Sequence, residues 1–304
     1  MGIARFVDAH VHLWKLDHLS YPWLMPPFSD DGPNGSVEAI AHDYGLDDYF
    51  KDAAGYNVVK VVHIDAGADA KDALAETCWL QGLASEGWAD AGTGFPQAIV
   101  AFAALNDPEV EPLLAQHALS KNVRGIRHII NWHPDSKRTY TPQNLLDDPA
   151  FARGYALLAK YRMSFDLQIY PNQMTQAYQL AKAHPDVPVI LNHTGMPVDR
   201  DAAGIAAWKS GMKLLATLPH VATKISGLGF IDRYWTEDAM RPLVLETIDT
   251  FGVERSLFAS DFPTDKLFNT YSRQLEFYDK LTVDFSAAER DALFAANAER
   301  IYRI

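Results

Sequence analysis

Short runs of β-branched and other apolar residues alternate along the whole chain with longer stretches in which apolar residues return every three or four positions. The first kind of run predicts strands at 5–11, 57–64, 97–105, 123–130, 163–169, 187–193, 221–227 and 256–262. The second predicts helices at 69–87, 107–120, 148–162, 172–185, 200–218, 236–251, 266–282 and 286–303. Punctuation agrees with the pattern. Asp69 is placed to cap the first of these helices and Gly87 to end it, while Pro108 and Pro149 stand in first turns, where a missing N–H costs nothing. Strands separated by helices must run parallel, because each connection is a crossover. Eight such units predict a (β/α)8 TIM barrel, a fold of about 250 residues. A doubly wound open sheet would want a glycine-rich phosphate turn after its first strand, and "HVHLWKLDH" stands there instead. No linker or shift in composition interrupts the pattern, so residues 1–304 read as a single barrel domain.

Within the first strand, "FVDAHVHLW", strict alternation puts Asp8, His10 and His12 on one face and Val7, Ala9, Val11 and Leu13 on the other. Taken alone, that describes an edge strand with solvated imidazoles. The other strand ends change the picture, because a TIM barrel carries its active site at the C-terminal ends of its strands. The sixth strand ends in Asn192-His193-Thr194 and the eighth in Ser260-Asp261; the fourth carries Arg124, Arg127 and His128, the fifth Gln168, and the seventh Lys224 and Ser226. Packing alone does not account for His10, His12, His193 and Asp261 converging on one rim from three distant segments.

Composition narrows the partners. A formal net charge of −12 argues against nucleic acid or an anionic membrane, and no run reaches membrane-spanning length. The one cysteine, Cys78, lies in a helical apolar pattern and reads as a core residue. With no charged-then-apolar leader at the start, a cytoplasmic protein acting on a small molecule is expected, alone or as a homodimer.

The segments "DAHVHLW", "RGIRH", "LNHTGMP", "KISGLG" and "FASDFPTDK" resemble the amidohydrolase superfamily, in order and over nearly the whole chain. More narrowly they resemble its lactonase branch, which includes sugar-acid lactonases and pyrone-dicarboxylate lactonase. The resemblance implies a barrel hydrolase with up to two metals or none. It matches the strand-one pair to His10 and His12, the strand-six histidine to His193 and the strand-eight aspartate to Asp261. The chain departs from the metal-dependent pattern on strand five, where Gln168 stands in place of a histidine. Arginines replace the bridging residue of strand four, which argues against a two-metal centre.

Opening a lactone needs an activated water, a polarised carbonyl and a proton for the departing alkoxide. Asp261 is the expected base. His10, His12 and His193 either hydrogen-bond the carbonyl oxygen directly, or His10, His12 and Asp261 hold one divalent ion, zinc first, weakly held or dispensable. The first loop, "DHLSYPWLMPPF", offers Tyr21 and Trp23 as a wall for a ring, the fourth offers Trp132 and His133, and Gln168 completes the expected substrate contacts. On a regular fourth strand Arg124 and Arg127 cannot both face inward. The family pattern favours Arg127, as a holder of a substrate carboxylate. Lactone hydrolysis is the leading expectation. Non-oxidative decarboxylation of a muconate-type or aromatic acid on the same barrel is the alternative, disfavoured by the missing strand-five histidine.

Overall fold

A computed structural model describes residues 2–86 and 94–304. Eight strands form one parallel sheet in chain order: β1 (Phe6–Val11), β2 (Val58–Ile64), β3 (Ala98–Phe102), β4 (Val123–Arg127), β5 (Ser164–Leu167), β6 (Val189–Leu191), β7 (Val221–Ile225) and β8 (Ser256–Phe258). Beyond the end of β8 the sheet closes on β1 through the Val11–Phe262 bridge. The Asp261 N–H donates to the His10 carbonyl at 2.9 Å, and the His12 N–H to the Phe262 carbonyl at 2.8 Å. This is the (β/α)8 barrel that the alternation predicts. Closure makes the two ends of the chain neighbours, and it sets Asp261 beside the histidines of β1.

Helices cover the outside: α1 (Leu46–Asp52), α2 (Ala73–Glu86), α3 (Val110–His117), α4 (Pro149–Lys160), α5 (Met174–Ala183), α6 (Ala202–Ala216), α7 (Leu228–Ile231), α8 (Glu237–Phe251), α9 (Tyr271–Leu281), α10 (Ala287–Asp291) and α11 (Asn297–Tyr302). Their starts follow the local chemistry. Asp148, Asp201, Thr236 and Ser286 each accept a backbone N–H of the first turn of the helix they precede. Asp69 caps a short 3-10 turn that leads into α2, and the expected end of that helix at Gly87 lies outside the described residues. Among the described residues no helix is long and apolar enough to cross a membrane.

The barrel interior is narrow and built from small and branched side chains. Val7, Ala9, Val62, Ile64, Ala98, Val100, Ile190, Ala222, Leu257 and Ala259 pack with Ala295, Ala298 and Tyr302 from the C-terminal helical segment. One ion pair lies in this core: Lys224 Nζ donates to Asp166, which also accepts the Tyr302 hydroxyl at 2.9 Å. Lys224 and Asp166 are both fully buried, so each offsets the other's desolvation.

Two expectations change here. Alternation fails within β1: between Asp8 and Val11 the register against β2 slips by a residue, a β-bulge. Asp8 therefore leaves the face of His10 and accepts hydrogen bonds from the Tyr49 hydroxyl of α1 at 2.9 Å and the Tyr271 hydroxyl of α9 at 3.1 Å. Cys78 is exposed, because the buried stripe of α2 runs through Ala73, Glu76, Thr77 and Leu80. His117 is buried on the stripe of α3, between Thr77 and the Phe102 carbonyl.

Candidate active site

The site forms at the rim where β1, β6 and β8 end. His10 and His12 project inward past the bulge. His10 Nε2, His12 Nε2 and Asp261 Oδ1 form a triangle with every side 3.2 Å. His193 follows β6, with its ring centroid 4.8 Å from that of His10. His193 and Asp261 both hold left-handed backbone conformations, φ 55° and 60°. Such conformations cost energy at non-glycine positions and persist where surrounding bonds over-determine them. At Asp261 those bonds are its own N–H to His10 and the Asp265 N–H donated to its carbonyl at 2.9 Å. Asp8 adds a third constraint from behind by accepting the Ser260 N–H at 2.9 Å.

Each histidine is oriented by a second contact. His12 Nδ1 lies 2.8 Å from the Ile64 carbonyl, which can only accept, so Nδ1 carries the proton and the Nε2 lone pair faces Asp261. His193 Nδ1 meets the Ser226 hydroxyl at 3.0 Å. Gly227 permits this approach: a Cβ there would lie 2.4 Å from His193 Nδ1, and its φ is +61°. His10 Nδ1 is 3.4 Å from Lys224 Nζ. Burial pushes the His193 imidazole down to about 4, and the nearby Arg127 and Lys224 charges add to this against the pull of Asp261. Burial likewise holds His10 well below the ordinary histidine range, so both are neutral near pH 7. Burial works to raise the Asp261 carboxyl, but His193, His12 and Arg127 outweigh it and leave the group below the usual carboxylate value.

His12 Nε2 and Asp261 Oδ1 are thus two acceptors in close contact, an arrangement that calls for a proton or a cation between them. Ligands bound tetrahedrally at about 2.0–2.2 Å from a zinc ion stand roughly 3.3–3.5 Å apart. The triangle is close to that spacing, and His10, His193 and Asp261 also offer ligand atoms within 4.8 Å of one another. Asp261 Oδ2 is buried without a partner. The donor set fits a single divalent metal.

Above these groups lies a cavity of about 250 Å3, walled by Trp23, Ala66, Gly67, Ile129, Tyr140 and Phe230, with His12, Asn34, Arg127, Gln168, His193, Asp261 and Thr264 completing its lining. Of the residues expected from the sequence, Trp23, Arg127 and Gln168 line this space together with His12, His193 and Asp261. Tyr21 stands behind the wall, its hydroxyl donating to Glu76 at 3.1 Å. His133 lies outside the lining, 3.4 Å from Asp199. Arg127 faces the cavity, and Arg124 instead donates to the backbone carbonyls of Lys121, Val123 and Arg303. Sequence reasoning missed Asp65, Asn34, Tyr140, Phe230 and Thr264. Asp65 directly follows β2 in "VVHIDAG", so the strand-end rule that picked out the other polar groups applies to it equally. Asn34 and Tyr140 come from long loops and Phe230 from the short helix α7, and none carries a comparable signal.

Comparison with known proteins agrees with this geometry. The chain matches the amidohydrolase family over residues 7–304. It is 43% identical to the uncharacterized protein y4mH of Sinorhizobium fredii, with all of both chains covered. It is 27% identical to an L-fucono-1,5-lactonase of Burkholderia multivorans, covering 100% of this chain and 97% of that one. Among solved structures, a Burkholderia multivorans amidohydrolase with bound zinc superposes with a TM-score of 0.78 at 25% identity, covering 99% of this chain and 100% of that one. With its barrel, its rim of histidines and aspartate and this full-length match, the chain belongs to the amidohydrolase family.

Proposed function

We propose that this protein is a lactonase that opens an uncharged sugar-acid lactone, with Asp261 activating the water. The observation that carries the reading is Asp261 itself: a buried carboxylate whose Oδ1 meets two imidazoles at 3.2 Å while Oδ2 is left without a partner, at the base of a mostly apolar cavity. The L-fucono-1,5-lactonase relatives support the substrate class. A flat or puckered ring suits walls made of Trp23, Phe230 and Ile129, and few charged groups line the space.

His10, His12 and Asp261 would hold a divalent metal, with His193 close by. When bound there, the ion supplies Lewis acidity for the carbonyl and the water. The chain's own groups do the rest. Asp261 Oδ2 takes the proton of the attacking water and returns it to the departing ring alkoxide, so the carboxylate ends as it began. A neutral His193 whose Nδ1 accepts from the Ser226 hydroxyl, 3.0 Å away, would carry its proton on Nε2 and donate toward the oxygen on which charge grows. Trp23 and Phe230 exclude bulk water from the ring.

The test is a pH-indicator hydrolysis screen of aldonolactones, muconolactones and pyrone carboxylates, with and without a chelator. Acid release from neutral aldonolactones is expected, together with a fall in kcat of at least about 10³-fold in Asp261→Asn at unchanged fold. Carbon dioxide release instead of ring opening, or near-normal kcat in Asp261→Asn, sinks the reading.

A further inference from the structure

Arg127 is the only lysine or arginine among the described residues lining the cavity, and each of its three nitrogens already has a partner, with Nη1 also 3.4 Å from His10 Nε2. Nε donates to Asp65 Oδ2 at 3.2 Å, Nη2 to the Asp65 carbonyl, and Nη1 to Gln168 Oε1 at 3.2 Å. Asp65 is 1% exposed and stands behind the cavity wall. Its other carboxylate oxygen, Oδ1, accepts the Gly67 N–H at 2.9 Å and so fixes the Ala66-Gly67 turn. The turn is tight against Trp23, whose indole N–H donates to the Ala66 carbonyl at 2.8 Å; a Cβ on Gly67 would lie 2.8 Å from that nitrogen. Asp65 thus both neutralises Arg127 and seats the aromatic wall beside it. The adjacent buried carboxyl, Glu76, is pushed up to about 8 by burial and by Asp65.

We propose that Asp65 is a specificity-determining positioning residue, masking the Arg127 guanidinium so that the cavity accepts an uncharged ring and rejects its carboxylate-bearing counterpart. A free guanidinium would attract a ring carboxylate in bidentate fashion. A guanidinium already held by Asp65 offers that carboxylate too little to offset its desolvation cost. The proposal deepens the lactonase reading and rests on it for the identity of the site, but its test measures binding alone, so it stands or falls separately from turnover.

The probes are coumalate, a pyrone ring carboxylate, and its uncharged methyl ester, with dissociation constants read by calorimetry and checked by quenching of the protein's tryptophan fluorescence. Wild type is expected to bind the ester at least tenfold more tightly than the acid. Asp65→Asn keeps an oxygen for Gly67 and removes the charge on Arg127's partner, so it should shift that ratio at least tenfold toward the acid. Adding Arg127→Met should cancel the shift, which a merely structural effect of the Asp65 change would not produce. The proposal is overturned by a wild-type ratio at or below one, including failure to bind either probe, by an unshifted ratio in Asp65→Asn, or by a shift that survives Arg127→Met. Should Asp65→Asn not fold, the wild-type ratio and the Arg127→Met single variant, expected to leave wild-type acid binding within threefold, decide it. Acid binding lost tenfold in Arg127→Met would mean that Arg127 is free to bind anions, against the proposal.

Discussion

At the scale of single residues, the site depends on groups that are forced together. His193 has Gly227 at its back because no larger residue fits there: the Cβ of an alanine would lie 2.4 Å from the ring nitrogen, at a φ of +61°. Gly227→Ala should push the imidazole off Ser226 and lower kcat by about 10- to 100-fold, with a smaller change in KM, since the loss falls on transition-state contacts. Steady-state kinetics at fixed lactone check this; an equal rise in KM at constant kcat would remove His193 from the chemistry. The metal-ligand set makes a second prediction. Exhaustive chelation should depress activity and zinc should restore it, with close to one ion per chain by elemental analysis. Full activity in metal-free protein would leave direct hydrogen bonding by the imidazoles as the route to carbonyl polarisation.

At the scale of elements, the bulge in β1 separates Asp8 from the histidines and gives it a different task. Asp8 joins β1 to α1, α9 and the end of β8 through two tyrosine hydroxyls and the Ser260 N–H. Replacing it by alanine leaves the Ser260 N–H and one tyrosine hydroxyl without an acceptor, since Tyr49 and Tyr271 lie 3.1 Å apart and only one can donate to the other, at about 1–3 kcal/mol for each group. Asp8→Ala should therefore destabilise the fold by about 2 kcal/mol or more, measurable as a shift in the urea midpoint. Retained stability would mean that the bulge is held by packing alone. The loops work as elements too. Tyr140 of the fourth loop donates to Asn34 of the first, and Arg233 of the seventh lies against Gly35. The cavity roof is therefore shared among segments far apart in sequence.

For the whole molecule, the buried carboxyl of Glu76 links stability to pH. Its value is about 8 in the folded chain against an ordinary 4.5, so the folded state holds the proton more tightly. That contribution to stability is complete below pH 4.5 and is lost as pH rises toward and through 8. The slope over this window is at most about 1.4 kcal/mol per pH unit. Glu76→Gln, which still offers an oxygen to the Tyr21 hydroxyl, should gain stability relative to wild type as pH is raised from about 5 to about 8. Urea denaturation at several pH values checks it; parallel curves for the two proteins would place the proton elsewhere.

The sequence by itself determined the barrel, since periods of 2 and 3.6 are local properties, and eight crossovers admit few sheets. It also determined which polar residues end the strands, because a strand-end position is set by where an apolar run stops. Tertiary structure decided which of those residues meet. Strict alternation put Asp8 on the face of His10 and His12, and a bulge removed it. Both Arg124 and Arg127 lie on β4, but only Arg127 faces the cavity, and the end of β2, two strands away, supplies Asp65 to neutralise it. Asp65 and Arg127 are 62 positions apart, and His12 and Asp261 are 249. Charge pairing over such separations comes from barrel closure, which no local pattern encodes.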